Sequence, residues 1–168
     1  MFDVLQVLTV IFVVLAMVPV LAHALELPGK MRLTKDAYVA MQSIYYPGFT
    51  IAGISEPLGI VSTTILLLLT PPGTSNFWLT LAALCGLIGM HAVYWLVTHP
   101  VNKFWVQGKQ LSSVGSGFFS FASARKRGRQ SETHPADWTE LRDRWEYSHV
   151  VRAALVTVSF IALVVAIS

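Results

Sequence analysis

The stretch WEYSHVVRAALVTVSF, residues 145–160, opens the last apolar run of the chain, and its reading decides how many helices cross a membrane. From Val150 to Ile167 the run is about 18 residues, just enough for a hydrocarbon core of about 30 Å. It begins with Glu146, His149 and Arg152, spaced by three and therefore on one helical face. Charge near a membrane centre costs about 2.5–3.5 kcal/mol on insertion scales, so such residues turn inward and mark a site. The stretch reads as a fourth span, about 147–167, whose polar opening faces other helices.

Three earlier runs supply the neighbours: Phe2–Leu25, Phe49–Thr70 and Phe77–Thr98. The chain of 168 residues is 54% hydrophobic and 12% charged, about half the charge of a soluble domain. The predicted fold is an all-α, up-and-down four-helix transmembrane bundle forming one domain over 1–168, in contact with lipid. The first run ends in LAHALE, a little like a cleavage site, but it starts MFDVLQ with no basic residue and reads as a retained helix. Cys85, the single cysteine, leaves no disulfide framework and no cysteine-based metal site.

Charge sets the orientation. Lys30, Arg32 and Lys35 follow the first span, and the other nine basic residues run from Lys103 to Arg152. The positive-inside rule puts the first and third connections in the cytoplasm and both termini outside, as in a bacterial inner membrane. RKRGR, residues 125–129, then reads as a topology signal touching anionic lipid. No nucleic-acid-binding fold motif accompanies it, so no nucleic-acid partner is expected. The first connection reads as a Pro28–Gly29 turn, a short interfacial helix capped by Thr34 and carrying Val39, Ile44, Tyr45 and Tyr46, and a second Pro–Gly stop. The third, about 102–137, is Gly/Ser-rich and partly mobile. Asp137, with Glu140 three places on, then caps a helix that continues into the last span.

Ionisable residues gather in the cytoplasmic half. His23 and Glu26 end the first span, Glu56 lies in the second, and His91 and His99 lie in and after the third. Pro19 and Pro57 stand beside them, where kinks free carbonyls to line a cavity. Four-helix carboxylate proteins hold two metal ions with Glu and Glu-x-x-His drawn from separate helices. The same residue types here make His23, Glu26, Glu56, His99, Glu146 and His149 candidate ligands for Fe, Mn, Zn or Cu. Haem, using His23, His91, His99 or His149, ranks lower because it leaves three carboxylates unexplained. Chemistry without any cofactor is the third option. More plainly, Glu26 and Glu146 could pair with Lys30 and Arg142 at the interface, and His91 could hold a helix–helix hydrogen bond. His134 reads as a loop residue.

HALELPGKMRL, YVAMQSIYYPGF, HPVN with Trp105, and DWTELRDRWEYSHVVR together resemble a family of small four-span membrane proteins, some fungal members of which are anthrone oxygenases of polyketide pathways. The resemblance carries over His23, Glu26, Pro28, Gly29, Tyr46, Gly48, Pro100, Asn102, Trp145, Glu146, His149 and Arg152 as family-pattern positions. It implies a membrane oxygenase whose apolar or aromatic substrate enters from lipid. An electron-rich anthrone reacts with O2 once deprotonated, so the His–Glu pairs would serve as metal ligands or as bases. His23, Glu26, Asn102, Glu146, His149 and Arg152 are then the expected catalytic set. Within it Arg152 pairs with a carboxylate or an anionic substrate group, and Asn102 positions substrate. The alternatives are a non-catalytic accessory subunit or small carrier with structural polar pairs, and a metal or proton transporter. The outer half of the bundle offers a transporter no polar path. A homo-oligomer is compatible with every reading.

Overall fold

A computed structural model describes residues 2–45, 48–105 and 138–168. Helix α1 covers Phe2–Lys30, with Asp3 in its first turn and Lys30 in its last, the charge order the helix dipole favours. The turn expected at Pro28–Gly29 does not form there. Gly29 stays helical, since among the described residues only Gly73 adopts positive φ. The turn closes later, where the Arg32 and Leu33 amides donate to the carbonyls of Gly29 and Lys30.

The short helix α2, Lys35–Met41, is capped as expected: Thr34 accepts from the Ala37 amide. A 3-10 turn, Gln42–Ile44, follows it. The second apolar run, expected to be continuous from Phe49 to Thr70, is broken into α3, Gly48–Ala52, and α4, Ser55–Leu69. Pro57 accounts for the break, because it has no N–H for the Gly53 carbonyl and its ring crowds that carbonyl. The Glu56 amide bonds the Gly53 oxygen instead, at 3.2 Å.

Gly73, at φ 83°, turns the chain after α4. Thr74 caps α5, Ser75–Val93, by accepting from Phe77. A π turn, Tyr94–Thr98, joins α5 to α6, His99–Trp105. Pro100 cannot donate to the carbonyl of Leu96, and a wide turn is one way the helix passes such a gap. Helix α7, Trp138–Ile167, then runs unbroken for 30 residues. Tyr46, Pro47, the Asp137 cap and the Gly/Ser-rich connection lie outside the described residues.

Among those residues three helical stretches are long and apolar enough to cross a membrane: α1, the continuous Ser75–Asn102, and α7. Helix α4 has 15 residues, about 22 Å at 1.5 Å per residue, and falls short alone. The chain is an all-α integral membrane protein. Its outward faces carry Leu15, Val18, Val61, Leu68, Val158 and Ile161 into the apolar surroundings.

Helix α7 packs on α5 and α1, and α4 packs on α1 and α5. Their shared core is Val13, Val20, Leu66, Leu87, Met90 and Val156. Helices α5 and α7 approach closely at Gly86, where a Cβ would collide with Ser159 Oγ and sit 3.2 Å from the Leu155 carbonyl. Near the start of α7 a second, aromatic cluster of Tyr38, Val101, Trp105 and Trp145 joins α2, α6 and α7. Between the two clusters lie the ionisable residues.

Candidate functional site

One face of α7 buries Glu146, His149 and Arg152, at 0%, 5% and 3% exposure. Each meets a partner from a different element. Glu146 Oε1 accepts from the Tyr38 hydroxyl at 2.8 Å, and its Oε2 accepts from Lys30 Nζ at 3.4 Å. Burial first, then the charge and hydrogen bond of Glu146, push the Tyr38 hydroxyl up from its ordinary range, so it stays a donor. Tyr45 is raised likewise by burial and by its 2.6 Å bond to Glu26 Oε2.

Lys30 is the residue sequence reasoning placed elsewhere. It reads there as an interfacial charge, yet it is 2% exposed. The ammonium lies 2.7 Å from His23 Nδ1, 3.1 Å from Glu26 Oε2 and 3.4 Å from Glu146 Oε2. It also faces the Tyr45 and Trp145 rings at 5.0 and 5.5 Å. The expected Glu26–Lys30 pair is present; what the sequence offered for the contact with His23 was the spacing of seven residues, two turns, on the same helix. Tyr38 was missed too; a Tyr in a short interfacial helix gives no sign that its hydroxyl points inward.

His23 and His149, from α1 and α7, lie with ring centroids 4.3 Å apart. Around the His23 ring stand Tyr45 at 4.3 Å, Trp145 at 4.8 Å and Phe49 at 5.1 Å. His149 Nδ1 is 2.9 Å from the Trp145 carbonyl. A carbonyl only accepts, so Nδ1 carries the proton and Nε2 is left bare. Asn102 orients this aromatic wall, its Oδ1 accepting from Trp145 Nε1 at 2.7 Å.

A second polar group lies one turn further along α7. Arg152 Nη2 donates to Glu56 Oε1, and His91 Nδ1 lies 3.1 Å from Glu56 Oε2. Trp95 Nε1 donates to His91 Nε2 at 2.9 Å, which puts the His91 proton on Nδ1, facing Glu56. The Arg152 guanidinium also lies 5.0 Å from the Tyr94 ring centre. His99 packs against Tyr94 and Trp95 at 5.8 and 4.9 Å.

The six residues expected to bind metal are thus distributed. His23, Glu26 and Glu146 converge, but on the Lys30 ammonium, and Glu56 is held by Arg152 and His91. Among the described residues no three His, Cys, Asp or Glu are arranged to hold a metal ion. A cation already stands where three of these side chains meet, so this donor set does not fit an added one. At the other end of the bundle a cavity of about 390 Å³ lies among Phe2, Gln6, Leu66, Thr70, Asn76 and Ile167, far from the imidazoles.

A model of the family described as anthrone oxygenase matches residues 41–162, well over half of the chain. The chain belongs to the anthrone oxygenase family. No curated protein and no solved structure matches it. The family segment holds Glu56, His91, Asn102, Glu146, His149 and Arg152. His23, Glu26, Lys30 and Tyr38 precede it, so in this anthrone oxygenase family member the site draws on residues from both sides of that boundary.

Proposed function

We propose that this protein is a membrane-embedded oxygenase that oxidises a flat, apolar aryl ketone of the anthrone type, with His149 as general base. The observation that carries the reading is the unprotonated Nε2 of the buried His149 side chain, whose ring packs on Trp145 and on His23, with Tyr45 and Phe49 around the His23 ring. Flat aromatic molecules stack on such faces. An imidazole is the side chain whose ordinary pKa best suits proton transfer near neutrality.

The chemistry balances without a further redox partner. His149 takes a proton from the activated methylene, leaving a carbanion delocalised onto the ketone oxygen. That anion passes an electron to O2, and the two radicals combine into a C–O bond, giving a peroxide anion. The peroxide takes up a proton to become a hydroperoxide. Loss of the second methylene proton to the base then breaks the O–O bond, and hydroxide leaves as water. One O2 converts CH2 to C=O with one H2O formed.

If α3 and α4 together serve as the second of four spans, the positive-inside rule would put the basic connections and the imidazole pair at the cytoplasmic face of a bacterial inner membrane. A hydrophobic substrate then arrives through lipid. The same polar pairs would suit an accessory subunit, and the Glu56–Arg152 bond in particular reads as helix glue.

The test is O2 uptake and quinone formation from a hydroxyanthrone by protein in lipid nanodiscs, with metal content measured on the same sample. Wild type should exceed the spontaneous rate after chelation, and His149→Gln should lower kcat about 10²–10⁴-fold. A rate no higher than empty nanodiscs leaves the accessory reading. A rate that vanishes on chelation returns a metal to the site.

A further inference from the structure

We infer that Lys30 is a positioning residue that fixes His23 as an Nε2–H donor, so that the paired imidazoles present one proton and one lone pair to a substrate bearing an acceptor oxygen. The inference rests on the proposed oxygenase reading and names the recognition group of its substrate.

Distances make the case. A lysine serving only as counter-ion to Glu146 would close on that carboxylate to about 2.7–2.9 Å. Instead Nζ stands 3.4 Å from Glu146, 3.1 Å from the half-exposed Glu26, and 2.7 Å from the neutral imidazole of His23. An ammonium has three donors and no acceptor, so His23 Nδ1 must accept and its proton must sit on Nε2. Two turns of α1 carry the stem back to this point, and the Tyr45 and Trp145 faces flank the charge. Glu146 of α7, itself held by the Tyr38 hydroxyl from α2, meets the ammonium at longer range.

His149 is set the opposite way by the Trp145 carbonyl, with its proton on Nδ1. The ring centroids are 4.3 Å apart, so a donor ring and a base ring stand beside one another. A substrate exploiting both needs an acidic C–H for the base and, conjugated with it, an oxygen that gains charge as the proton leaves. That is an enolisable aryl ketone. The His23 N–H bonds the oxygen more strongly in the anion than in the ketone, so it contributes to the reaction step rather than to ground-state binding.

The experiment reads the tautomer directly and does not depend on turnover. In full-length protein with ¹⁵N-labelled histidine in nanodiscs, His23 of the wild type should show an unprotonated Nδ1 and a protonated Nε2. In Lys30→Met the tautomer should shift, and in Lys30→Arg it should be retained. A wild-type proton on Nδ1, or an unchanged tautomer in Lys30→Met, overturns the inference whatever the enzyme turns over. Should Lys30→Met not fold, the wild-type spectrum and Lys30→Gln decide. With hydroxyanthrone, Lys30→Met should lower kcat at least tenfold with KM within about twofold, and Lys30→Arg should restore most of it. Equal loss in kcat and 1/KM for both variants marks Lys30 as structural only. Absence of wild-type turnover alongside the expected tautomer overturns the function but not the Lys30–His23 assignment.

Discussion

Arg152 and Glu56 show what a single pair of residues does in this bundle. Both side chains are nearly inaccessible, at 4% and 7% exposure. The arginine gives Nη2 to the carboxylate, while its Nε has no hydrogen-bond partner among the described residues. Removing one member of a buried pair strands the other, at a cost of about 3–5 kcal/mol, whereas replacing both with apolar groups is often neutral. Arg152→Met should therefore destabilise the protein by about that amount in detergent unfolding, since among the described residues Glu56 would keep only the His91 side chain as donor. Glu56→Leu with Arg152→Met should recover most of the loss. If the double variant loses the sum of the two singles, the residues are not coupled. Spacing by three put His23 with Glu26 on one helical face and Glu146, His149 and Arg152 on another, and the rarity of charge inside a span turned both faces inward. Spacing also gave Lys30 as a partner of Glu26 at the interface, but not its burial against His23 and Glu146. A linear charge pattern counts a lysine beside a span as a topology signal, and nothing in it says where a four-carbon stem folds. A carboxylate partner was expected for Arg152, but which one was hidden for the same reason: helix-to-helix pairing depends on rotation about each axis, which spacing along one helix does not fix.

At the scale of elements, the long helices were legible and their irregularities were only half so. Pro57 and Pro100 were visible as prolines. Whether each would kink, break or widen its helix depended on what could satisfy the orphaned carbonyl. After Gly53 it is the Glu56 amide, so the helix breaks there; around Pro100 a π turn forms instead. The break puts Glu56 into the first turn of α4, where it reaches both Arg152 on α7 and His91 on α5. The contact between α5 and α7 is governed by a smaller feature. Gly86 lets the Leu155–Ser159 backbone of α7 come close enough that any side chain would collide with Ser159 Oγ, a small-residue contact of the kind that joins helices in lipid. Gly86→Ala should thus overpack the interface and cost about 1–3 kcal/mol. Ser159→Ala removes the colliding oxygen, which otherwise only bonds its own helix at Leu155. Combining the two should recover about half of the loss or more, measured by thermal unfolding. Additive losses would mean that the 3.2 Å approach of the Leu155 carbonyl sets the limit instead.

At the scale of the whole molecule, the proposed chemistry depends on which side of the membrane the imidazole pair faces. The charge asymmetry was the clearest signal in the sequence, and the fold adds a constraint of its own. Lys30 is one of the basic residues that orientation relies on, yet it is buried in the site, so it cannot interact with headgroups as a surface lysine does. The bias is then carried by Arg32, Lys35 and the basic residues after α5, still wholly at the ends that flank His23 and Glu146. The turn containing Gly73 must lie on the opposite side if α4 completes a second crossing. Starting from Cys85→Ser, which removes the only native thiol, Thr74→Cys would serve as a poor probe because Thr74 caps α5. Pro72→Cys and Lys35→Cys avoid that cap. An impermeant maleimide added to intact cells should label Pro72→Cys and leave Lys35→Cys unlabelled until the membrane is opened. Equal labelling of both from outside would mean that α4 does not cross, leaving three spans. The reverse pattern would put the imidazole pair outside the cytoplasm, where a substrate made inside would have to traverse the bilayer before meeting His149.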